Sequence, residues 1–78
     1  MKKIEILFGE AVRRKRLEVG LSQEEFADKA GIHRTYVSSI ELGKVQVSIR
    51  IAAKLAEALQ VPLSEIWKEI ESRQADSS

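Results

Sequence analysis

The chain has 78 residues and a mass of 8.8 kDa, which suits one domain with a single hydrophobic core. Its 44% hydrophobic and 32% charged residues are typical of a soluble folded domain and exclude a disordered tail. It has no cysteine and one histidine, His33, which excludes a disulfide framework, thiolate metal sites and a zinc cluster. No apolar stretch approaches the roughly 20 residues that span a bilayer, and no signal-peptide cleavage pattern follows Met1. We therefore expect a cytoplasmic protein with no membrane partner, metal or other cofactor.

Hydrophobic residues recur with the period of a helix in five segments, which glycines and a proline separate. The first predicted helix, Ile4 to Val19, carries an apolar stripe, and Gly20 suits its left-handed C-cap. Ser22 is followed three residues later by Glu25, which is the pattern of a capping box. A second helix is therefore predicted from Gln23 to Ala30.

Three further helices are predicted, so that the fold class is all-α. The third runs from Arg34 to Leu42. Ser48 is the predicted N-cap of the fourth, which the residues 60–62 end, and the fifth begins at Leu63 and ends near Ser72. The predicted domain thus covers residues 1–72, and residues 73–78 form a tail that we expect to fray.

Residues 23–42 read QEEFADKAGIHRTYVSSIEL and have the pattern of two short helices that cross after a tight turn. Ala27 is small at the position where the two helices approach most closely, and Gly31 is able to adopt positive φ in the turn. The inner faces of both helices are apolar. Their residues are Phe26, Ala30, Ile32, Val37 and Ile40.

The run LSQEEFADKAGIHRTYVSSIELGK resembles the helix-turn-helix of the phage-repressor-like (XRE) family of bacterial DNA-binding regulators. The resemblance covers nearly the whole chain and implies the five-helix lambda-repressor-like fold. The phrase IHRTYVSSIE is similar to the recognition helix of restriction-modification controller proteins, although LGKVQVSI replaces their more polar loop. The resemblance implies a transcriptional regulator that binds double-stranded DNA as a homodimer on a pseudo-palindromic operator, as a repressor or an activator. RNA polymerase is a candidate further partner.

The resemblance also implies which residues contact DNA. The third helix would enter the major groove, where Arg34 would bind O6 and N7 of guanine. Each position has a structural alternative as an exposed polar residue or, at Ser48, a helix cap. The other predicted contacts are Thr35 and Ser39 to a base or phosphate, Tyr36 to sugar-phosphate, and Gln23, Lys44, Ser48 and Arg50 to phosphates.

Two residues of the same family pattern have a structural role. Arg16 and Glu41 stand where the family forms an ion pair between the first helix and the end of the third. We expect this pair to fix the recognition helix against the rest of the domain, and to be costlier to break than to replace as a whole.

The dimer contact is predicted on the fifth helix, whose apolar stripe extends over two turns. Leu63 and Ile66 are assigned to the core, and Trp67 and Ile70 to the contact with a second copy. The alternative is that all four side chains belong to the core.

Charge alternates along the chain although the total is only +1. The net charges are +4 for residues 1–16, −3 for 17–33, +3 for 34–54 and −3 for 55–78. The basic segments include the predicted recognition helix, which favours contact with a polyanion. Within the first helix, Arg14 and Lys15 are predicted to be solvated, since four successive basic residues point around the whole helix.

Two other classes of function remain as alternatives. An antitoxin-type regulator would share the fold, and a helical protein-interaction module would use the fifth helix without binding DNA. A hydrolase would need His33 as a base with Ser22 or Ser39 as nucleophile and Asp28 to orient it. Five short helices offer neither a clear pocket nor a glycine-rich oxyanion hole, so we expect no enzyme and no catalytic residue, and His33 is predicted to be a turn residue or helix cap.

Overall fold

The computed structural model describes residues 3–76, and their side chains up to residue 73. Five α-helices and no strand occur within this range, which confirms the all-α fold class. The helices are α1 (Ile4–Val19), α2 (Gln23–Ala30), α3 (Arg34–Glu41), α4 (Ile49–Leu59) and α5 (Leu63–Asp76).

The ends of α2 follow from local hydrogen bonds that the sequence predicts. The Ser22 hydroxyl accepts from the backbone N–H of Glu25 at 3.0 Å, and the Glu25 carboxylate accepts from the backbone N–H of Ser22 at 2.9 Å. This capping box satisfies two amides that the first turn of a helix leaves unpaired. Gly31 then ends α2 with φ of 71°, which a residue with a Cβ adopts only with strain.

Two predicted helix ends differ from the structure. Helix α3 ends at Glu41, and Leu42 is its C-cap rather than its last residue. Helix α5 continues four residues past Ser72, through part of the predicted tail. No glycine or proline interrupts residues 73–76, so the backbone hydrogen bonds propagate although the core no longer needs an apolar face. Residues 77 and 78 of the predicted tail lie outside the described residues.

Helix α1 lies at the centre of the fold and packs against α3, α4 and α5. The core side chains come from all five helices and are aliphatic apart from two phenylalanines. The larger ones are Leu7, Phe8, Val12, Phe26, Val37, Ile40, Leu55, Leu59, Ile66 and Ile70.

Helix α1 approaches α3 most closely at a glycine. Gly9 is buried, and a Cβ added there would meet the carbonyl oxygen of Ile40 and lie 2.8 Å from the carbonyl oxygen of Glu41. Both atoms belong to the backbone at the end of α3 and cannot rotate away. The absence of a side chain at Gly9 therefore lets α1 support the last turn of α3 directly.

The burial of α5 corrects the predicted dimer contact. Ile70 is 0% exposed, as is Ile66 one turn earlier, so the assignment of Ile70 to a contact with a second copy is wrong. The reason is helical geometry, because residues four apart lie on the same face and that face is turned to the core. Trp67 lies beside this face and is 42% exposed, with its ring centroid 6.3 Å from that of Phe8.

None of the helices within residues 3–76 combines the length and the apolar character that crossing a membrane requires.

Candidate DNA interface

The turn between α2 and α3 holds the start of α3 in a defined position. The backbone N–H of Ile32 donates to the carbonyl of Ala27, which closes α2 onto the turn. His33 is the N-cap of α3, and its Nδ1 accepts from the backbone N–H of Thr35 at 3.1 Å. Of the two roles predicted for His33, turn residue or helix cap, the structure shows the helix cap.

The first turn of α3 presents its side chains to solvent. Arg34 and Thr35 are both exposed, and Arg34 Nη1 lies 3.7 Å from Oε2 of Glu24 at the start of α2. These residues share an open cleft of about 550 Å³ between the first turns of α2 and α3. The cleft, called here the α2–α3 cleft, is lined by Arg16, Ser22, Gln23, Glu24, Arg34, Thr35 and Ser38.

The other end of α3 is fixed by a buried ionic network. Arg16 of α1 donates to both carboxylate oxygens of Glu41, from Nε at 2.7 Å and from Nη2 at 3.0 Å. The two side chains are only 9% and 2% exposed. Arg16 Nη1 also donates to the carbonyl of Leu21 at 2.9 Å. The ion pair that the resemblance implies is therefore present and joins α1, the following loop and the last turn of α3.

Gln23 joins this network, which the sequence did not indicate. Its Nε2 donates to Oε1 of Glu41 at 3.0 Å, so the first residue of α2 is bonded to the last residue of α3. The two residues are 18 positions apart, and no local pattern connects them. This bond uses one of the two N–H donors of the Gln23 amide, so a phosphate contact would use the other.

The remaining residues with predicted DNA contacts do not share one environment. Lys44 and Arg50 are exposed. Tyr36 is half-buried and packs against the core, and Ser39 is also half-buried. Ser48 is exposed, and its hydroxyl caps α4 by accepting from the backbone N–H of Ile51 at 3.1 Å. Of the predicted set, the α2–α3 cleft brings together Gln23, Arg34 and Thr35.

Two basic residues of α1 that were predicted to be solvated form ion pairs with α5 instead. Arg14 donates from Nη2 at 2.8 Å and from Nε at 3.2 Å to Oε2 of Glu69. Lys15 Nζ lies 3.6 Å from Oε2 of Glu65. Acidic residues of α5 thus neutralise part of the basic charge of α1, which accounts for part of the opposite net charges of residues 1–16 and 55–78.

The capping box also affects a titratable group at the edge of the cleft. The hydrogen bonds from the Ser22 backbone N–H and hydroxyl lower the pKa of Glu25 below its ordinary value of 4.5. Glu25 is therefore a carboxylate at neutral pH that is already engaged with the backbone.

A second concave surface is apolar. A groove of about 470 Å³ lies between the first turn of α1, the segment before α4 and the start of α5. Three large hydrophobic side chains in its lining are exposed: Ile4 by 42%, Trp67 by 42% and Ile49 by 84%. Among the described residues that line it, Glu5 is the one ionisable residue. We call this surface the apolar groove.

Comparisons with known proteins identify α2, the turn and α3 as part of a known type of DNA-binding domain. Residues 12–66 match the model of the helix-turn-helix family. The chain is 43% identical over 72 residues to control protein C.MunI of a Mycoplasma species, covering 91% of this chain and 97% of that protein. It is 44% identical over 59 residues to control protein C.BamHI of Bacillus amyloliquefaciens, covering 74% of this chain and 73% of that protein.

A solved structure of a restriction-modification controller protein is also similar to this chain. The restriction-modification controller protein C.AhdI from Aeromonas hydrophila superposes with a TM-score of 0.78 at 39% identity, covering 80% of this chain and 94% of that chain. The region that matches the family model contains all of α2, α3 and α4, the second half of α1 and the first turn of α5. The chain therefore belongs to the helix-turn-helix family of DNA-binding transcriptional regulators, in the group that contains the restriction-modification controller proteins.

Proposed function

We propose that this protein regulates transcription of a restriction-modification system by binding one pseudo-palindromic operator in the cytoplasm as a homodimer, without enzymatic activity. The observation that carries the proposal is the contrast between the two ends of α3. Its first turn exposes Arg34 and Thr35, while its last turn is held by the buried pair of Arg16 and Glu41. A helix held in this way enters a major groove with little loss of conformational entropy.

Arg34 is the proposed reader of sequence. An exposed guanidinium at the start of a recognition helix is able to donate to both O6 and N7 of guanine, a pairing worth about 1 to 3 kcal/mol of discrimination. Thr35 would contact the adjacent base. The residues proposed to contact the sugar-phosphate backbone, and so to fix the position of α3, are Gln23, Tyr36, Ser39, Lys44, Ser48 and Arg50.

The apolar groove is the proposed contact with the second copy. A single recognition helix reads few base pairs, and two copies related by a two-fold axis read two half-sites about 34 to 36 Å apart. The groove suits a protein contact rather than DNA, because exposed Ile4, Ile49 and Trp67 surround it and none of the described residues in its lining is basic. A two-fold contact would bury the same side chains on both copies. The proposed contact with the second copy therefore consists of Trp67 with Ile4 and Ile49, and it does not include the buried Ile70.

The readout is tested by selecting bound sequences from a random duplex pool and then measuring two arginine variants. Arg34→Ala is expected to weaken operator binding by about 1 to 3 kcal/mol and to relax the preference at one base pair in each half-site. Arg13→Ala is the matched control, since Arg13 is exposed on α1 and does not line the α2–α3 cleft. Equal losses on operator and random DNA for Arg34→Ala would refute base reading. Absence of any salt-dependent binding to duplex DNA would favour a protein-interaction module instead.

The dimer is tested with Ile49→Glu, which places a charge in the apolar groove. Ile49 is 84% exposed and begins α4, where an acidic residue suits the helix dipole, so the domain is expected to fold. Sedimentation should give a dimer for the natural chain and for Leu17→Glu, a control at another exposed apolar residue. The Ile49 variant should be a monomer that binds a half-site normally and the full operator weakly. A natural chain that remains monomeric at high concentration would refute the dimer.

A further inference from the structure

We infer that Glu24 determines DNA specificity by holding Arg34 in position for a base and by penalising its contact with phosphates. This inference rests on the proposed function, since it assumes that Arg34 reads a base. Glu24 is not one of the residues assigned a DNA contact above. Its role would be that of a positioning residue, which acts through the guanidinium of Arg34.

The first observation is the placement of the two side chains. Glu24 Oε2 lies 3.7 Å from Arg34 Nη1, and the side chains are 71% and 66% exposed. Glu24 belongs to the first turn of α2, and Arg34 to the first turn of α3. Both residues line the α2–α3 cleft, and both also line a second cleft of about 390 Å³ on the side of His33 and Asp28. The pair therefore stands on the ridge between two clefts beside the proposed reading residues.

The second observation concerns the neighbouring carboxylates. Glu25 is engaged by the capping box of α2, and Glu41 is neutralised by Arg16 at the other end of α3. Among the described residues that line the α2–α3 cleft, Glu24 is the one carboxylate, and it lies 3.7 Å from Arg34. Glu24 is paired with Arg34 and with no other charged group of the described residues. On a surface that binds DNA, a negative charge weakens binding unless it also makes binding more specific.

A guanidinium has enough donors to contact a base and a carboxylate at the same time. Arginine carries five N–H donors, of which a bidentate contact with guanine uses two. A guanine contact through Nε and Nη2 leaves Nη1, the atom that lies 3.7 Å from Oε2 of Glu24. Arg34 is therefore able to bind guanine and to stay paired with Glu24 in the same complex. Because Glu24 already restricts the Arg34 side chain in the free protein, Arg34 loses less conformational entropy when it binds the base.

A phosphate contact is different. The phosphate is an anion and the edge of guanine is uncharged, so an Arg34 side chain that stays paired with Glu24 would bring the carboxylate against a second negative charge only in the phosphate contact. This cost is paid on random DNA, where phosphates are the ligands, and is avoided on the operator. The carboxylate thus lowers non-specific affinity more than specific affinity, which raises their ratio.

The test measures affinities for the selected operator and for random duplex DNA with Glu24→Gln. This variant keeps the size of the side chain and a residue that favours helices, so the fold is preserved, which a melting curve checks. Exposed ion pairs contribute a factor of about 1.5 to 5, so we expect the ratio of operator to random affinity to fall about 1.5- to fivefold. Random affinity should rise, and the preference for the base pair that Arg34 reads should weaken most.

Asp28→Asn is the matched control. Asp28 is an exposed acid on the same helix and lines the second cleft, and its substitution changes the net charge by the same amount. It should raise both affinities alike and leave the ratio unchanged. An equal change of the ratio in both variants would mean that only total charge matters, and it would overturn the inference.

Combination with Arg34→Ala separates this inference from the proposed function. In that background Glu24→Gln should no longer change the ratio, because the group through which it acts is absent. If it still does, Glu24 contacts DNA directly and the positioning role is wrong. If Arg34→Ala lowers the ratio in the natural background but Glu24→Gln does not, only the role of Glu24 fails. If Arg34→Ala weakens operator and random binding equally, the base reading by Arg34 that this inference assumes fails, whereas the proposed function itself fails only if the natural chain shows no salt-dependent binding to duplex DNA.

Discussion

Replacement of Glu41 by alanine removes the acceptor on which two helices converge. Arg16 loses both of its bonds to the carboxylate, at 2.7 and 3.0 Å, and Gln23 loses its bond at 3.0 Å. The guanidinium stays in place with a side-chain exposure of 9%, so water replaces little of what is lost. One hydrogen bond remains to it, at 2.9 Å from the carbonyl of Leu21.

The size of the effect follows from these contacts. Breaking one side of a buried ion pair costs about 3 to 5 kcal/mol, and the remaining bond of Arg16 places the expected loss near the lower value. For a domain of this size, 1 kcal/mol corresponds to a change in Tm of about 4 to 8 °C. The Glu41→Ala variant should therefore melt about 12 to 24 °C below the natural protein. Its operator affinity should fall as well, because the last turn of α3 is no longer tied to α1 and α2.

Thermal unfolding followed by circular dichroism measures the first effect, and a mobility shift at a temperature where the variant is folded measures the second. The double variant Arg16→Met with Glu41→Leu is the control, since replacing a buried pair as a whole is often neutral. It should recover most of the lost Tm. A Glu41→Ala variant that melts within about 3 °C of the natural protein and binds the operator equally would refute the role given to the network.

Three further changes test other parts of the fold. Gly9→Ala should lower the urea midpoint although alanine favours helix by about 1 kcal/mol, because the new Cβ would meet backbone oxygens of α3; an unchanged or higher midpoint would show that α1 is able to move away. Glu25→Gln should make the free energy of unfolding less dependent on pH in acid. The pKa of Glu25 is lowered in the folded state, so its contribution is present above the ordinary value of 4.5 and is lost as the pH falls through the folded value; identical acid unfolding curves would contradict this. Glu69→Gln should cost less than about 1 kcal/mol at low salt and less still at 1 M salt, because its partner Arg14 is partly solvated; a loss independent of salt would point to packing instead.

Local signals in the sequence predict most of the helix ends. The capping box at Ser22 and Glu25 and the stop at Gly31 each depend on residues within one turn, and the structure forms both. The end of α5 was less predictable. An apolar stripe reports only how far the core extends, and a helix of favourable residues continues beyond it.

Contacts between distant residues were predicted only where a family pattern supplied them. The pair of Arg16 and Glu41 entered in this way, whereas the bond of Gln23 to Glu41 and the pair of Glu24 with Arg34 depend on how α2 crosses α3. The error at Ile70 has a different origin. The spacing of a stripe shows that its residues share a face, but which edge of that face remains uncovered depends on the neighbouring helices.

The packing of α5 on α1 has a consequence for the time at which a newly made chain becomes active. Helices α2 and α3 are complete early in synthesis, yet the core beneath α1 stays open until Ile66 and Ile70 arrive to close it. At about 5 to 20 residues per second, the ribosome needs about 1 to 4 seconds to proceed from the end of α3 to the start of α5. Throughout that interval the nascent chain carries its reading residues on helices too short to be stable alone. The ability to recognise an operator is therefore expected to appear in one step, when the last helix docks, rather than to grow with the length of the chain.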